Sequence, residues 1–323
     1  MSRREGEGAR GREGERESEG EEEGIRNPPS VSPFPASEAS ESGKGARGLG
    51  PVFPPSLPVY ALLLLGVVAL GFPFAWMVTT SFKLPENVAE SGLSLWPRPW
   101  TLTGYRAAAE GAPWLAYLKN TLVITGFSVI GTVLSSSMAA FAFARLRAPG
   151  KDALFVLVLA TLMLPAQVTM IPAFIIFRNL GWYDTLLPLI VPSFFGSAVF
   201  IFLIRQFFLT LPNDLEDAAR IDGCSTLMIY WRILMPLATP ALVTVALFSF
   251  VSHWNDFMGP LIYLNSLEKR TLALGLVSFQ NAWGTDIVQI MAAGTVITMP
   301  VLIVFFAFQR YFIEGVVTTG LKG

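Results

Sequence analysis

The sequence predicts an all-α fold, a polytopic membrane helical bundle with six transmembrane helices. Three observations carry that prediction. Of 323 residues, 52% are hydrophobic and only 15% are charged, and the mean hydropathy of +0.52 is too high for a soluble domain of this size. The apolar residues gather in runs close to the roughly 20 residues that cross a hydrocarbon core. One very short connection between two runs carries Arg145, Arg147 and Lys151, the positive loop that membrane insertion retains in the cytoplasm. The net charge of -1 hides a division, because the first fifty residues hold a large share of all charged groups, so the average says nothing about partners.

Met1 to about Leu57 interleaves Arg, Glu and Gly and then turns rich in Pro, Ser and Gly. With few apolar side chains it cannot offset the entropy of ordering, and a disordered cytoplasmic tail is expected over residues 1–57. No apolar core follows Arg3 and Arg4 at the spacing of a signal peptide. Ser42-Gly43-Lys44-Gly45 is not a phosphate loop, since Glu38 occupies the leading glycine position and Gly45 that of the Ser or Thr.

The transmembrane domain, residues 58–323, then reads in order. The first span is Val59 to Thr80, with a kink expected at Pro73. Lys83 to Lys119 reads as a polar outer loop with Trp96, Trp100, Tyr105, Trp114 and Tyr117 as interfacial anchors. Asn120 to Ala144 is the second span and Ala153 to Phe177 the third, joined by the positive link. Arg178 to Thr185 therefore faces outward, and the fourth span, Leu186 to Leu203, returns. The fifth span, Ala241 to about Leu264, exits; Asn265 to Asp286 is external; and Val288 to Phe308 re-enters, which places both termini in the cytoplasm. No fixed-period repeat is visible, which argues against an inverted-repeat secondary carrier.

Little in the spans suggests chemistry. Cys224 is the only cysteine and His253 the only histidine, so neither a disulfide nor a cysteine or histidine metal cluster can be built. Beside Trp254 near a span end, His253 reads as a packed or interfacial residue. Apart from Asp256, the predicted spans hold no Asp, Glu, Lys or Arg, and so no charged relay of the kind ion-driven carriers use. Gln167, between Pro165 and Pro172, is either a pathway or gate residue beside a broken helix or a single inward amide on a kinked one. Asn255 and Asp256, before Pro260, are either an external gate or a solvated helix end. The Ser135, Ser136 and Ser137 run reads as a site of close helix packing.

The stretch that organises the chain is Leu211 to Pro240, charged yet set between two apolar runs. Asn213 or Asp214 can cap a short helix with an acidic first turn, Gly223 can close it in a left-handed turn, and Ser225 can cap a second helix that Pro236 interrupts. Asp217-Ala218-Ala219-Arg220-Ile221-Asp222-Gly223, followed after nine residues by Ile233-Leu234-Met235-Pro236, resembles the EAA loop of ABC importer membrane subunits, E-A-A-x-x-D-G-x(9)-I-x-L-P. Asp217 stands in place of the usual Glu and Met235 in place of Leu; the first keeps the charge and the second the volume. TLMLPAQVTMIP, FLIRQFFLTLP, WNDFMGPLIYL and the ending QRYFIEGVVTTGLKG are similar to MalG-like, maltose-type permeases of carbohydrate importers.

That resemblance implies a MetI-like permease fold whose loop, residues 205–240, is a cytoplasmic coupling helix held in a cleft of a separate ATPase. Asp217, Ala218, Ala219, Asp222 and Gly223 would be the coupling residues: small alanines for close approach, acids for hydrogen bonds or cations, and glycine for the turn. It further implies a second homologous permease subunit, ATPase subunits that bind the ATP, an extracytoplasmic solute-binding protein and a sugar as solute. No cofactor or metal is implied in this chain, and neither enzymatic activity nor a nucleic-acid partner. Importers of glycerol phosphate share much of the pattern. A self-sufficient secondary carrier or channel, and a membrane scaffold with a docking loop, are the readings from other classes. The last residues, Gly315 to Gly323, resemble a tail that in some relatives reaches the ATPases.

Overall fold

In a computed structural model of the chain, residues 57–281 and 284–320 are described, so the expectation for the tail falls outside them. Helix α1, Leu57–Thr80, runs unbroken through Pro73. Its face from Leu62 to Leu70 is exposed, so this chain alone does not cover it.

The expected outer loop is more ordered than composition suggests. It holds α2, Pro85–Ser91, and α3, Thr103–Glu110, and α4 already begins at Trp114. Tyr117 is therefore not an interfacial anchor: it is 1% exposed, inside the bundle with Trp254 and Leu272. Trp96 and Trp100 remain exposed, edge to face at 5.6 Å. Helix α4, Trp114–Arg145, has 32 residues. At 1.5 Å per residue it is about 48 Å long, more than the hydrocarbon core of about 30 Å, so its ends project.

The third span is two helices rather than one. Helix α5, Lys151–Ala160, continues in a single 3-10 turn, and α6, Ala166–Asn179, leaves at 99°. Pro165 explains the break: it has no N–H to continue the ladder, and it forces Leu164 into an extended conformation. The fourth span begins as α7, Leu187–Ile190, passes through a 3-10 segment and resumes as α8, Ala198–Thr210. The joint is Gly196, at φ 83° and ψ 154°, which a side chain would strain.

The serine run of α4 answers to this joint. Ser128 Oγ donates to the Leu189 carbonyl at 3.2 Å, Ser135 Oγ donates to that of Ser193 at 3.1 Å, and Ser136 Oγ accepts from the Ser197 amide at 3.2 Å. Backbone that leaves helical geometry at membrane depth needs such partners, and the packing reading of these serines holds.

After α8 come the short helix α9, Asp214–Ile221, then α10, Thr226–Ile229, a π turn over Tyr230–Leu234 and α11, Met235–Leu237. Helix α12, Thr239–Trp254, departs from that segment at 79°. The second loop helix thus runs through Pro236 and breaks at Ala238; the π turn just before the proline absorbs the lost hydrogen bond. Helix α13, Met258–Tyr263, and α14, Leu272–Gly275, precede a two-residue antiparallel pair, β1, Gln280–Asn281, and β2, Gly284–Thr285. Helix α15, Ile287–Gly320, closes the bundle through Pro300. Among the described residues, four helical segments are long and apolar enough to cross a membrane, and up to six if each bent pair forms one span.

Helix α4 is the central post, with α8 and α12 packed along it. The main core lies where α4, α8, α9 and the π turn meet and includes Phe141, Ile204, Phe208, Ala219, Tyr230 and Leu234. At the other end Ile124, Leu189, Tyr263 and Leu264 form a smaller cluster.

Candidate functional site: the displayed loop

Helix α9 is fixed in place from both ends. Asn213 stands at its N-terminus but does not cap it with its side chain; the amide oxygen is taken instead by the Arg145 guanidinium. At the C-terminus the glycine turn forms as expected. Gly223 sits at φ 82°, its amide donates to Arg220 O at 3.0 Å, and the Cys224 amide donates to Ala219 O at 2.9 Å. These paired bonds satisfy the last carbonyls of the helix. Ser225 then caps α10 through its hydroxyl, which accepts from the Met228 amide at 3.3 Å.

The coupling residues divide by face. Asp217, Ala218, Asp222 and Gly223 are exposed. Ala219 is not: it packs into the main core with Phe208 and Ile229, so it serves the approach of α9 to its own bundle rather than of a partner. In an eight-residue helix, sequence periodicity does not decide which of two adjacent alanines faces in. Leu215 and Ile221 join Ala218 on the open face, and Ile221 is 87% exposed. With Asp214, Asp217 and Asp222 also exposed, the open side of α9 interleaves apolar and acidic side chains.

Two residues that sequence reasoning did not assign to this site hold it together. Arg145, at the end of α4, and Glu216, in the first turn of α9, form an ion pair at 3.0 Å with side chains 5% and 7% exposed. Arg145 also donates to the carbonyls of Phe208, at 2.5 Å, and Leu211, at 2.7 Å, capping α8. Arg220 approaches the other oxygen of Glu216 at 3.8 Å. The one signal in the sequence is a charge at the junction of a span and a loop, which topology alone also explains. Arg205 corrects the expectation of uncharged spans: it lies inside α8, with its guanidinium 4.2 Å from the Phe155 ring and Nε donating to Phe143 O at 3.3 Å.

The pathway candidates do not converge. Gln167 is exposed in the first turn of α6. Asn255 bonds back to the Val251 carbonyl at 2.9 Å, and Asp256 caps α13 by accepting from the Gly259 amide at 3.1 Å. Among the described residues no hydrogen bond joins Gln167 to either of them. An apolar cleft of about 460 Å³ lies between α3, α4, α12 and α15, lined by Tyr105, Trp114, Trp254, Leu272 and Val296 among others, and it includes none of the three. His253 is packed against Ser193 at 3.5 Å.

The opposite end carries a tighter cluster. Asp184, at φ 54°, accepts from the amides of Asn265 and Ser266 at 2.9 Å each, from the Ser266 hydroxyl at 2.6 Å and from Lys269 Nζ at 3.0 Å. The Ser266 hydroxyl and amide bonds, followed by those of Asn265 and Lys269, hold its carboxyl well below the usual carboxylate range. Asn120 continues the brace, donating to Glu268 O at 2.8 Å and Arg270 O at 3.0 Å.

Interrupted spans satisfied by side chains from a central helix, together with a short glycine-terminated helix presented at one end, are the features of a multi-pass membrane permease. The chain belongs to the family of binding-protein-dependent transport system inner membrane components, whose pattern matches residues 131–317. It is 35% identical over 81% of its length to the arabinooligosaccharides transport system permease protein AraQ of Halalkalibacterium halodurans, covering 96% of that protein. It is 32% identical over 83% of its length to the trehalose/maltose transport system permease protein MalG of Thermococcus litoralis, again covering 96%. Among solved structures, a chain of a bacterial ABC transporter involved in the import of the acidic polysaccharide alginate superposes with a TM-score of 0.70 at 25% identity, over 79% of this chain and 96% of that one.

Proposed function

We propose that this ABC permease subunit imports a carbohydrate, with the open face of α9 seated in a cleft of a separate ATPase. The observation that carries the docking reading is that face: Leu215, Ala218 and Ile221 exposed together with Asp217 and Asp222, on a helix stopped by Gly223. The family membership and the substrates in the relatives' names, arabino-oligosaccharides, trehalose or maltose, and alginate, support the solute class. In this reading the α9 loop and both termini are cytoplasmic, consistent with the positive charge of Arg147 and Lys151 beside it. A second permease subunit completes the pathway and covers the exposed face of α1, and an extracytoplasmic binding protein delivers the solute. ATP bound by the partner ATPases closes them, α9 carries the motion inward, and the pathway alternates between its two openings.

Uptake by membrane vesicles bearing the assembled transporter and its binding protein tests this. A panel of tritiated maltose, trehalose, arabinotriose, diacetylchitobiose and glycerol 3-phosphate should show ATP-dependent uptake of at least one sugar, lost in Gly223→Asp while the chain remains in the membrane. Uptake of glycerol 3-phosphate alone would overturn the carbohydrate class. ATP-independent uptake by this chain alone would overturn the importer reading.

A further inference from the structure

We infer that the buried Arg145–Glu216 pair is a positioning device that fixes the rotation of α9 against α4 and α8 and transmits the movement of the docked helix to those two spans. The inference rests on the importer reading above and names residues outside the docking face. Its ground is that one guanidinium joins three bodies. Arg145 is the last residue of α4; it binds the Phe208 and Leu211 carbonyls at the end of α8, and on α9 it binds Asn213, just before the first turn, and Glu216, within it. Two attachments a short step apart on α9 restrain rotation about the helix axis, which one attachment would not. The planar fork of arginine allows this: its two terminal nitrogens donate to Asn213, Phe208 and Leu211, while Nε meets Glu216 Oε1 at 3.0 Å as an ion pair outside hydrogen-bond geometry.

The chemistry of the pair fits a transmission role better than simple adhesion. An unpaired charge in so enclosed a place is unfavourable, so Arg145 and Glu216 hold each other in register. Beyond this pair, Ala219 is the one buried residue of α9, and an alanine contact allows rolling. Glu216 also receives Arg220 from the next turn, which aligns its carboxylate along the helix. Asp217, its neighbour about 100° round the helix, is exposed, so of two adjacent acids one is buried against the bundle and the other is open. Torque applied at Ala218 and Ile221 therefore reaches α4 and α8 through Glu216 and Arg145.

Glu216→Gln keeps the shape and removes the charge; Glu216→Asp keeps the charge on a shorter arm. The assembled transporter with its binding protein, in proteoliposomes loaded with ATP, is measured for ATP hydrolysis and for uptake of a pool of tritiated maltose, trehalose, arabinotriose and diacetylchitobiose, with the yield of ATPase-bound complex as the check on folding. Sugar taken up per ATP hydrolysed should fall at least tenfold in Glu216→Gln and recover to within about threefold of wild type in Glu216→Asp, at wild-type complex yield. A wild-type ratio in Glu216→Gln, or a parallel loss of complex, hydrolysis and uptake, overturns the proposal. A wild-type transporter that takes up none of the pool overturns the carbohydrate reading instead, and the inference falls with it.

Discussion

Gly223 shows how a single residue separates strain from charge at the docking face. It lies at φ 82°, and a Cβ built there meets nothing within 4 Å. Substitution therefore costs backbone strain of about 1–2 kcal/mol for most residues and less for Asn or Asp, which tolerate the left-handed region. Gly223→Asn should retain at least half of wild-type uptake, whereas Gly223→Asp, with the same shape and an added charge on an already acidic face, should fall below about a tenth; initial uptake rates compare them. Asp184 makes the corresponding case at the other end. Its carboxyl is held below its unfolded value, so its stabilising contribution is complete above about pH 4 and fades as pH falls further toward the lowered folded value. The difference in melting temperature between wild type and Asp184→Asn should be flat from pH 8 to pH 5 and shrink below about pH 4. A difference that shrinks above pH 5 would show that the Ser266 and Lys269 bonds do not govern it.

At the scale of elements, serine side chains replace the backbone ladder where the fourth span breaks. Ser136 is fully buried and its hydroxyl accepts from the Ser197 amide. Ser136→Ala should therefore cost about 1–3 kcal/mol by leaving that amide unpaired, read as a lower melting temperature in detergent, with Ser136→Val costing more because its branched side chain must also fit a fully buried site. Unchanged stability in both would mean that the joint at Gly196 is satisfied from elsewhere. The same elements show what sequence can and cannot reveal. Pro165 announces the break in the third span, and Gly223 and Ser225 announce the ends of the loop helices, because each acts through its own backbone. Neither the joint at Gly196, the ordered α2 and α3, nor the inward turn of Ala219 has a local signature; each depends on what packs against it. The Arg145–Glu216 pair joins residues far apart in the chain, and either charge alone reads as an ordinary loop residue.

The described transmembrane unit is built on a central helix, α4, braced at both ends. At one end Arg145 ties it to α8 and α9; at the other Asn120 ties it to the loop that Asp184 holds. The exposed apolar faces of α1 and of α5, where Leu154, Val156 and Leu157 lie open, leave ample surface for lipid and a companion subunit. Whether α9 docks on an ATPase is decided by purifying the chain from its native membrane in mild detergent and identifying the co-purifying proteins by mass spectrometry. A related permease subunit and an ATPase should be recovered with it, the ATPase being lost from the Gly223→Asp chain. Recovery of the chain alone or only as a homo-oligomer, repeated after gentle crosslinking, would contradict it.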